Sequence, residues 1–352
     1  MKWISSIVND EFRKKTWGFV LINAKPLFIE IFEHSANINT MIIDTHSHLN
    51  FNAFKEDADE IIKKTLIENI WIINVGSKYE TSKIAVEIAE RYGQGIYAAI
   101  GLHPMFAGAE FVKIKAKPVL PASLGSEHAT ARSLPSLSSA IKTDLDEGEF
   151  LLKEQDFNKE KYLDLAKSKK VVAIGEIGLD YYYKPKTIAK LAQFKEKQKQ
   201  IFLQQLDLAK ELNLPVILHC RMAHDDVIEI LKSQKVTGVI HCFTGTWEQA
   251  QKYIEMGFYI GINGIIFKFN IDEVIKKVPL DKIVVETDCP YLTPSPAIDL
   301  AKADPQGYTR NEPIFIKHTI QKIADLKSIS FGEVAEKTTQ NAKKLFGLDN
   351  SL

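Results

Sequence analysis

Val171-Val172-Ala173-Ile174-Gly175-Glu176 stays apolar for four residues and then, one glycine later, ends on a carboxylate. The texture recurs. Ile42-Ile43 runs into Asp44-Thr45-His46-Ser47-His48, Val216-Ile217-Leu218 into His219, Val236–Ile240 into His241, and Ile283-Val284-Val285 into Glu286-Thr287-Asp288. With Ile70–Val75, Ile96–Ile100 and Phe258–Ile262 the β-branched runs number eight. Longer segments lie between them, with apolar residues at three- and four-residue spacing, such as Ile84, Ile88 and Ala89, or Phe202, Leu206 and Ala209. Strands that are apolar throughout, alternating with helices, predict a parallel sheet covered on both faces. Eight such units predict a closed (β/α)8 TIM barrel. An open doubly wound sheet is the alternative, but no Gly-x-Gly-x-x-Gly turn follows the first strand.

The chain has 352 residues, room for about two domains or one barrel with additions. Residues 1–40 precede the first strand as an N-terminal extension. Residues from about 106 to 155 interrupt the third unit, with Pro118, Pro121, Pro135 and a Ser/Ala/Leu-rich tract. Without them about 262 residues remain, a barrel's usual length, so the hydrolase barrel is expected over 41–347 with an irregular excursion after its third strand. Hydrophobic content of 45% and charged content of 26% are those of a globular chain and exclude wholesale disorder. Lys+Arg 45 against Asp+Glu 45 gives no net charge, so any contact with nucleic acid is local rather than a bulk positive coat. Three cysteines are too few for a disulfide scaffold and point to a reducing, cytoplasmic setting. No run approaches the ~20 apolar residues that cross a bilayer, and Trp17–Ile22 makes a poor signal peptide beside Asn23 and Lys25. No protein partner can be deduced.

The chemistry is expected at the carboxyl ends of the strands, where barrel enzymes keep their sites. His46 and His48, two apart, face one way and can grip one ion. Glu176, His219, His241 and Asp288 each follow an apolar strand at the same topological position. Singly, each has a reading as a hydrogen-bonded core residue. Together, four imidazoles and two carboxylates around one barrel mouth point to metal, because unpaired polar burial costs about several kcal/mol per group. One hydrolytic ion needs about three protein ligands, so six candidates suffice for two ions sharing a carboxylate. Mixed imidazole and carboxylate ligation suits zinc, manganese or magnesium.

These residues fall in seven ordered motifs: His46-x-His48, Gly101-Leu102-His103-Pro104, Gly175-Glu176-Ile177-Gly178-Leu179-Asp180-Tyr181, His219-x-Arg221, His241-Cys242-Phe243-Thr244-Gly245, Glu286-Thr287-Asp288-x-Pro290-Tyr291-Leu292 and Arg310-Asn311-Glu312-Pro313. From Met41 to about Gly347, insertion apart, the chain resembles the TatD family of metal-dependent deoxyribonucleases, a branch of the amidohydrolase barrels. The resemblance implies His46, His48 and Asp288 on one ion, His219 and His241 on the other, and Glu176 bridging. It also implies 3′-to-5′ hydrolysis of DNA supported by two divalent ions, magnesium or manganese before zinc. Family chains usually begin near the position of Met41, which makes it an alternative start, and neither the extension nor the insertion is explained by the resemblance.

Asp288 is the candidate general base, with Glu176 beside it in the catalytic pair. His103 and Arg221 are candidates for contact with the substrate phosphate, Arg221 having a salt bridge under the loop as its bland reading. Glu286 shares a side with Asp288 and is placed to orient an imidazole or to make a plain core hydrogen bond. Arg310 is equally readable as structural. Cys220, Cys242 and Cys289 each follow a ligand candidate and are expected to point into the helix layer, since strand neighbours face opposite ways. His34, His128, His224 and His318 read as surface or packing residues, and the lysines from Lys184 to Lys199 as a solvated helix face. The function expected is hydrolysis at the 3′ ends of single-stranded DNA. Another ester such as aminoacyl-tRNA is the nearest rival, and a non-catalytic scaffold the more distant one.

Overall fold

The computed structural model describes residues 40–107, 156–303 and 309–348. The extension over 1–40 and the insertion over 106–155 lie almost wholly outside the described residues, as do His34 and His128. The elements run β1 (Ile42–Ser47), α1 (Ala58–Ile67), β2 (Ile70–Val75), α2 (Tyr79–Glu90), β3 (Ile96–Ile100), α3 (Lys159–Leu165), β4 (Val171–Asp180), α4 (Ile188–Leu212) and β5 (Val216–Arg221). They continue with α5 (His224–Leu231), β6 (Gly238–Ile240), α6 (Trp247–Glu255), β7 (Tyr259–Ile262), α7 (Asp272–Lys277), β8 (Ile283–Val285), α8 (Ile316–Lys327) and α9 (Phe331–Phe346). All eight predicted strands are present, and they pair in parallel in the order β1 to β8. The expected barrel is the observed fold.

Alternation along the strands sorts the core into two parts. Ile42, Ile70, Ile72, Ile96, Ala98, Val216 and Leu218 pack outward against the helices. Ile43, Trp71, Ile73, Tyr97, Ala99, Ile217, Val239 and Val284 fill the barrel itself, together with Ala342 and Phe346 of α9 and Leu348 just beyond it. This inner set alternates with the outer one at the strand period of two. It also consumes the interior at the amino-terminal end, which leaves the carboxyl end for polar residues.

Two bulges then change the parity where it matters. In β1, Asp44 pairs with Ile72 but Ser47 with Asn74, so three residues advance against two. In β4, Ile174 pairs with Val216 but Ile177 with Leu218, the same surplus of one. One extra residue turns the rest of a strand over. Below the bulges Ile43 and Ala173 face inward; above them Ile177 and Leu179 belong to the outer core.

The seam between β8 and β1 closes largely through side chains. Thr45 Oγ1 donates to the Val285 carbonyl at 3.1 Å, and Asp44 Oδ1 accepts from Thr287 N at 2.9 Å and His46 N at 3.2 Å. Beyond it, Asp288 N donates to His46 O at 2.8 Å and His48 N to Cys289 O at 2.9 Å. The ligand candidates of β1 are thus stitched directly to the segment that carries Asp288.

Candidate metal centre

Glu176 is the hub. Its carboxylate lies 2.7 Å from His219 Nδ1, 3.4 Å from His103 Nε2, 3.6 Å from His46 Nε2, 3.9 Å from His241 Nε2 and 4.0 Å from His48 Nε2. Asp288 Oδ1 sits 3.4 Å from His48 Nε2, 3.7 Å from His46 Nε2 and 3.8 Å from His241 Nε2. All six predicted ligands therefore converge on one mouth; four of them are buried, and His219 and Asp288 are slightly exposed. Asp288 reaches inward from a left-handed backbone, with φ of 58°.

Three outer contacts aim the imidazoles. His48 Nδ1 lies 2.8 Å from the Val75 carbonyl, which fixes the proton on Nδ1 and turns Nε2 toward Asp288. His241 Nδ1 lies 2.9 Å from Glu286 Oε1, so Glu286 takes the orienting role that sequence left open. Met105 N donates to His103 Nδ1 at 3.0 Å, leaving the His103 proton on Nε2, where it faces Glu176.

The charges at this mouth are those of a cation site. Burial alone would protonate Glu176, Asp180 and Asp288, yet the surrounding imidazoles hold all three below the usual carboxylate range. Burial likewise opposes the imidazolium forms of His219 and His241, but Asp180 and Glu176 lift the first to about 9, and Glu286 and Asp288 the second to about 10. His46 goes the other way: burial and the facing His241 lower it to about 4. It is a neutral imidazole whose Nδ1 is buried without a hydrogen bond among the described residues. Clustered carboxylates that need nearby positive charge, beside a neutral imidazole, form the donor set of a divalent ion. The residues fit the metal.

Comparison with known proteins agrees. The family model described as TatD related DNase matches residues 43–347. The chain belongs to that family. An uncharacterized metal-dependent hydrolase of Bacillus subtilis, YabD, is 36% identical over 318 residues, spanning 88% of this chain and all of that one. The 3′-5′ ssDNA/RNA exonuclease TatD of Escherichia fergusonii is 38% identical over 201 residues, 55% of this chain and 73% of its own. Among solved structures, the TatD homologue YJJV of Escherichia coli superposes with a TM-score of 0.64 at 26% identity, covering 87% of this chain and 98% of that one. This chain is accordingly a metal-dependent hydrolase of the TatD family.

The TatD-family site holds residues that sequence reading passed over. Asp180 Oδ2 lies 3.1 Å from His219 Nε2, so His103, Asp180 and His219 form a group of their own beside the one made by His46, His48 and Asp288. His219 thus faces Asp180 and His103 as well as Glu176, with the His241 ring centroid 6.5 Å away across the mouth. Asp44, buried at the seam and pushed up to about 7 by burial against the pull of its Thr287 bonds, ties His46 to the Asp288 segment. Its signal was visible: an acid inside an apolar strand with no partner in view.

The cysteines divide. Cys220 and Cys289 pack in the outer core as expected. Cys242 also packs against the outer core, yet it borders the site. Its backbone is left-handed, φ 46°, and its sulfur groups with ligand atoms of His241 and Asp288. The alternation rule fails there because the strand has ended at Ile240.

Arg310 is structural. It makes a two-pronged pair with Asp57, 2.8 Å on each side, and bonds the Ala53 carbonyl. His224 is a packing residue, with Nδ1 3.2 Å from Cys220 Sγ and 3.1 Å from Tyr253 Oη. On α4, Lys195 and Lys199 pair with Asp226 and Lys197 with Asp156, and Lys190 is exposed; Lys184 and Lys186, also exposed, lie before the helix and not on its face.

Proposed function

We propose that this TatD-family hydrolase cleaves phosphodiesters at the 3′ ends of single-stranded DNA, using two divalent ions, magnesium or manganese before zinc. The observation that carries the reading is Glu176, one buried carboxylate facing five imidazole nitrogens within 4.0 Å. His46, His48 and Asp288 would hold one ion and His219 and His241 the other, with Glu176 open to both. When bound, such ions neutralise developing charge on a phosphodiester and make a water acidic enough to attack.

The chain's own groups supply the rest. Asp288 would serve as general base, a carboxylate kept ionised at the mouth whose side chain is 13% exposed to solvent. His103, neutral because burial lowers it, presents its Nε2 proton toward the hub, where a substrate oxygen would accept it. Arg221 offers guanidinium donors to a phosphate. The zero net charge favours a substrate terminus gripped locally over a duplex held by long-range attraction. The three free thiols support a cytoplasmic setting; among the described residues, no helix is long and apolar enough to cross a membrane.

The deciding assay compares single-stranded DNA, duplex DNA and RNA with manganese present and after chelation. Mononucleotides should be released from linear single strands while a closed circular strand survives. Rapid cutting of the circle would overturn the exonuclease reading, and inertness toward every phosphodiester combined with cleavage of aminoacyl esters would move the enzyme to the rival substrate class.

A further inference from the structure

Arg221 closes β5 on the same side as His219, two residues earlier. Its guanidinium carbon lies 3.6 Å from the Tyr182 ring centroid and 5.9 Å from that of Tyr183. Among the described residues no carboxylate comes within ion-pair distance of it, so the salt bridge that was its bland reading is absent. A guanidinium laid flat on a ring keeps its N–H edge free, and that edge matches two oxygens of a phosphate.

Tyr182 is itself keyed to the metal centre. Its backbone N–H donates to Asp180 Oδ1 at 2.9 Å, while Asp180 Oδ2 faces His219 Nε2 at 3.1 Å. The Asp180 backbone is clamped in turn by Gln198 of α4, at 2.9 Å and 3.1 Å. Next door, the Tyr181 hydroxyl donates to Asp226 Oδ2 at 2.7 Å, pinning the start of the loop. One buried carboxylate therefore sets the spacing between the metal cluster and the ring on which Arg221 rests. Beyond Arg221 the chain turns through left-handed Met222, 64% exposed, so the ledge is open to the outside.

We propose that Asp180, Tyr182 and Arg221 build a second phosphate subsite, which takes the internucleotide phosphate next to the scissile one. The proposal rests on the nuclease reading above and adds to it a measure of substrate length. Arg221 makes the contact. Tyr182 is a positioning residue: it holds the guanidinium edge-on to the strand, at a distance that Asp180 fixes.

The test uses two substrates, a trinucleoside diphosphate with two phosphates and a dinucleoside monophosphate with one. The readout is the ratio of their kcat/KM values. Arg221→Gln should lower that ratio about tenfold, the scale of one lost charged hydrogen-bonded contact, with the change carried by KM. Tyr182→Leu should reproduce the loss, Tyr182→Phe should restore it, and Tyr182→Leu with Arg221→Gln should be no worse than either alone. On a longer single strand, the log–log salt dependence of KM should become shallower by about 0.7, one phosphate contact. Additive losses, equal losses on both substrates, or a Tyr182→Phe as impaired as Tyr182→Leu would overturn the subsite while leaving the nuclease reading in place. A wild-type enzyme that cleaves neither substrate overturns both.

Discussion

Replacing Glu286 by Gln keeps the shape of a fully buried side chain and removes its charge. One oxygen, Oε1, accepts from Cys242 N at 2.7 Å and Asn263 Nδ2 at 3.0 Å, and lies 2.9 Å from His241 Nδ1 as an ion-pair contact without hydrogen-bond geometry. The other, Oε2, is buried with no hydrogen-bond partner among the described residues, against Gly261, where a side chain would touch it. A glutamine that keeps its oxygen at Oε1 must bury its amide N–H groups at the Oε2 position, at a cost of about 1–3 kcal/mol. The two hydrogen bonds also change from a charged to a neutral acceptor, each losing about 1 kcal/mol. The opposite amide orientation is worse, since it sets donor against donors. The expected loss is about 3–5 kcal/mol, or roughly 10 °C in Tm for a domain of this size.

The orienting role adds a second effect, because an imidazole without its outer carboxylate loses about 10- to 100-fold in metal affinity. Thermal unfolding across a manganese titration separates the two, with stability read without metal and affinity from the concentration dependence. A variant with lowered Tm and wild-type affinity would refute the orienting role, and one with an unchanged Tm would refute the whole account of this carboxylate.

Two other outcomes follow from the same geometry. Gly178 has φ of 141°, and a Cβ there would lie 2.1 Å from the His219 carbonyl oxygen, so Gly178→Ala should cost about 3 kcal/mol or more and displace His219; an unshifted urea midpoint would refute this. Asp57 is held below its ordinary 3.8 by the hydrogen bonds of Arg310, so its contribution is full above that value and is lost as pH falls through the depressed folded-state value. Asp57→Asn should therefore flatten the acid limb of the stability curve below about pH 4, and an unchanged limb would show that other carboxylates set it.

The barrel was legible because it is written in repeats: eight apolar runs at helix-length intervals leave few other ways to cover both faces of a sheet. The six ligand candidates were legible for a related reason. A polar residue directly after an apolar strand sits at a fixed height in the barrel, so position along the chain translates into position around the mouth. What failed to show was whatever depends on a residue's direction after its strand has been perturbed. Asp180 was given no role because the run was read as ending at Glu176, whereas the strand continues through a bulge to Asp180. Cys242 was assigned outward by an alternation that had already lapsed. The partner of Arg221 was hidden as well, since stacking on Tyr182 leaves no trace in charge spacing.

The bulges explain why one strand can serve two environments. A regular β1 with Ile43 inward would also turn Thr45 and Ser47 inward, and would send His46 and His48 into the helix layer, where no ion could be shared. A regular β4 with Ala173 inward would do the same to Glu176 and Asp180. One surplus residue in each strand lets the lower half pack the barrel with aliphatic side chains while the upper half offers imidazoles and carboxylates. β5 and β8 carry their polar residues without such a device. Ile217, His219 and Arg221 keep one parity, and so do Val284, Glu286 and Asp288. The hub is therefore reached from two kinds of strand, regular ones read correctly by counting in twos and bulged ones where the count must be restarted. The residues that counting misassigns or misses lie where regularity breaks, and at Asp180 and Glu176 that break is what brings the carboxylates to the mouth.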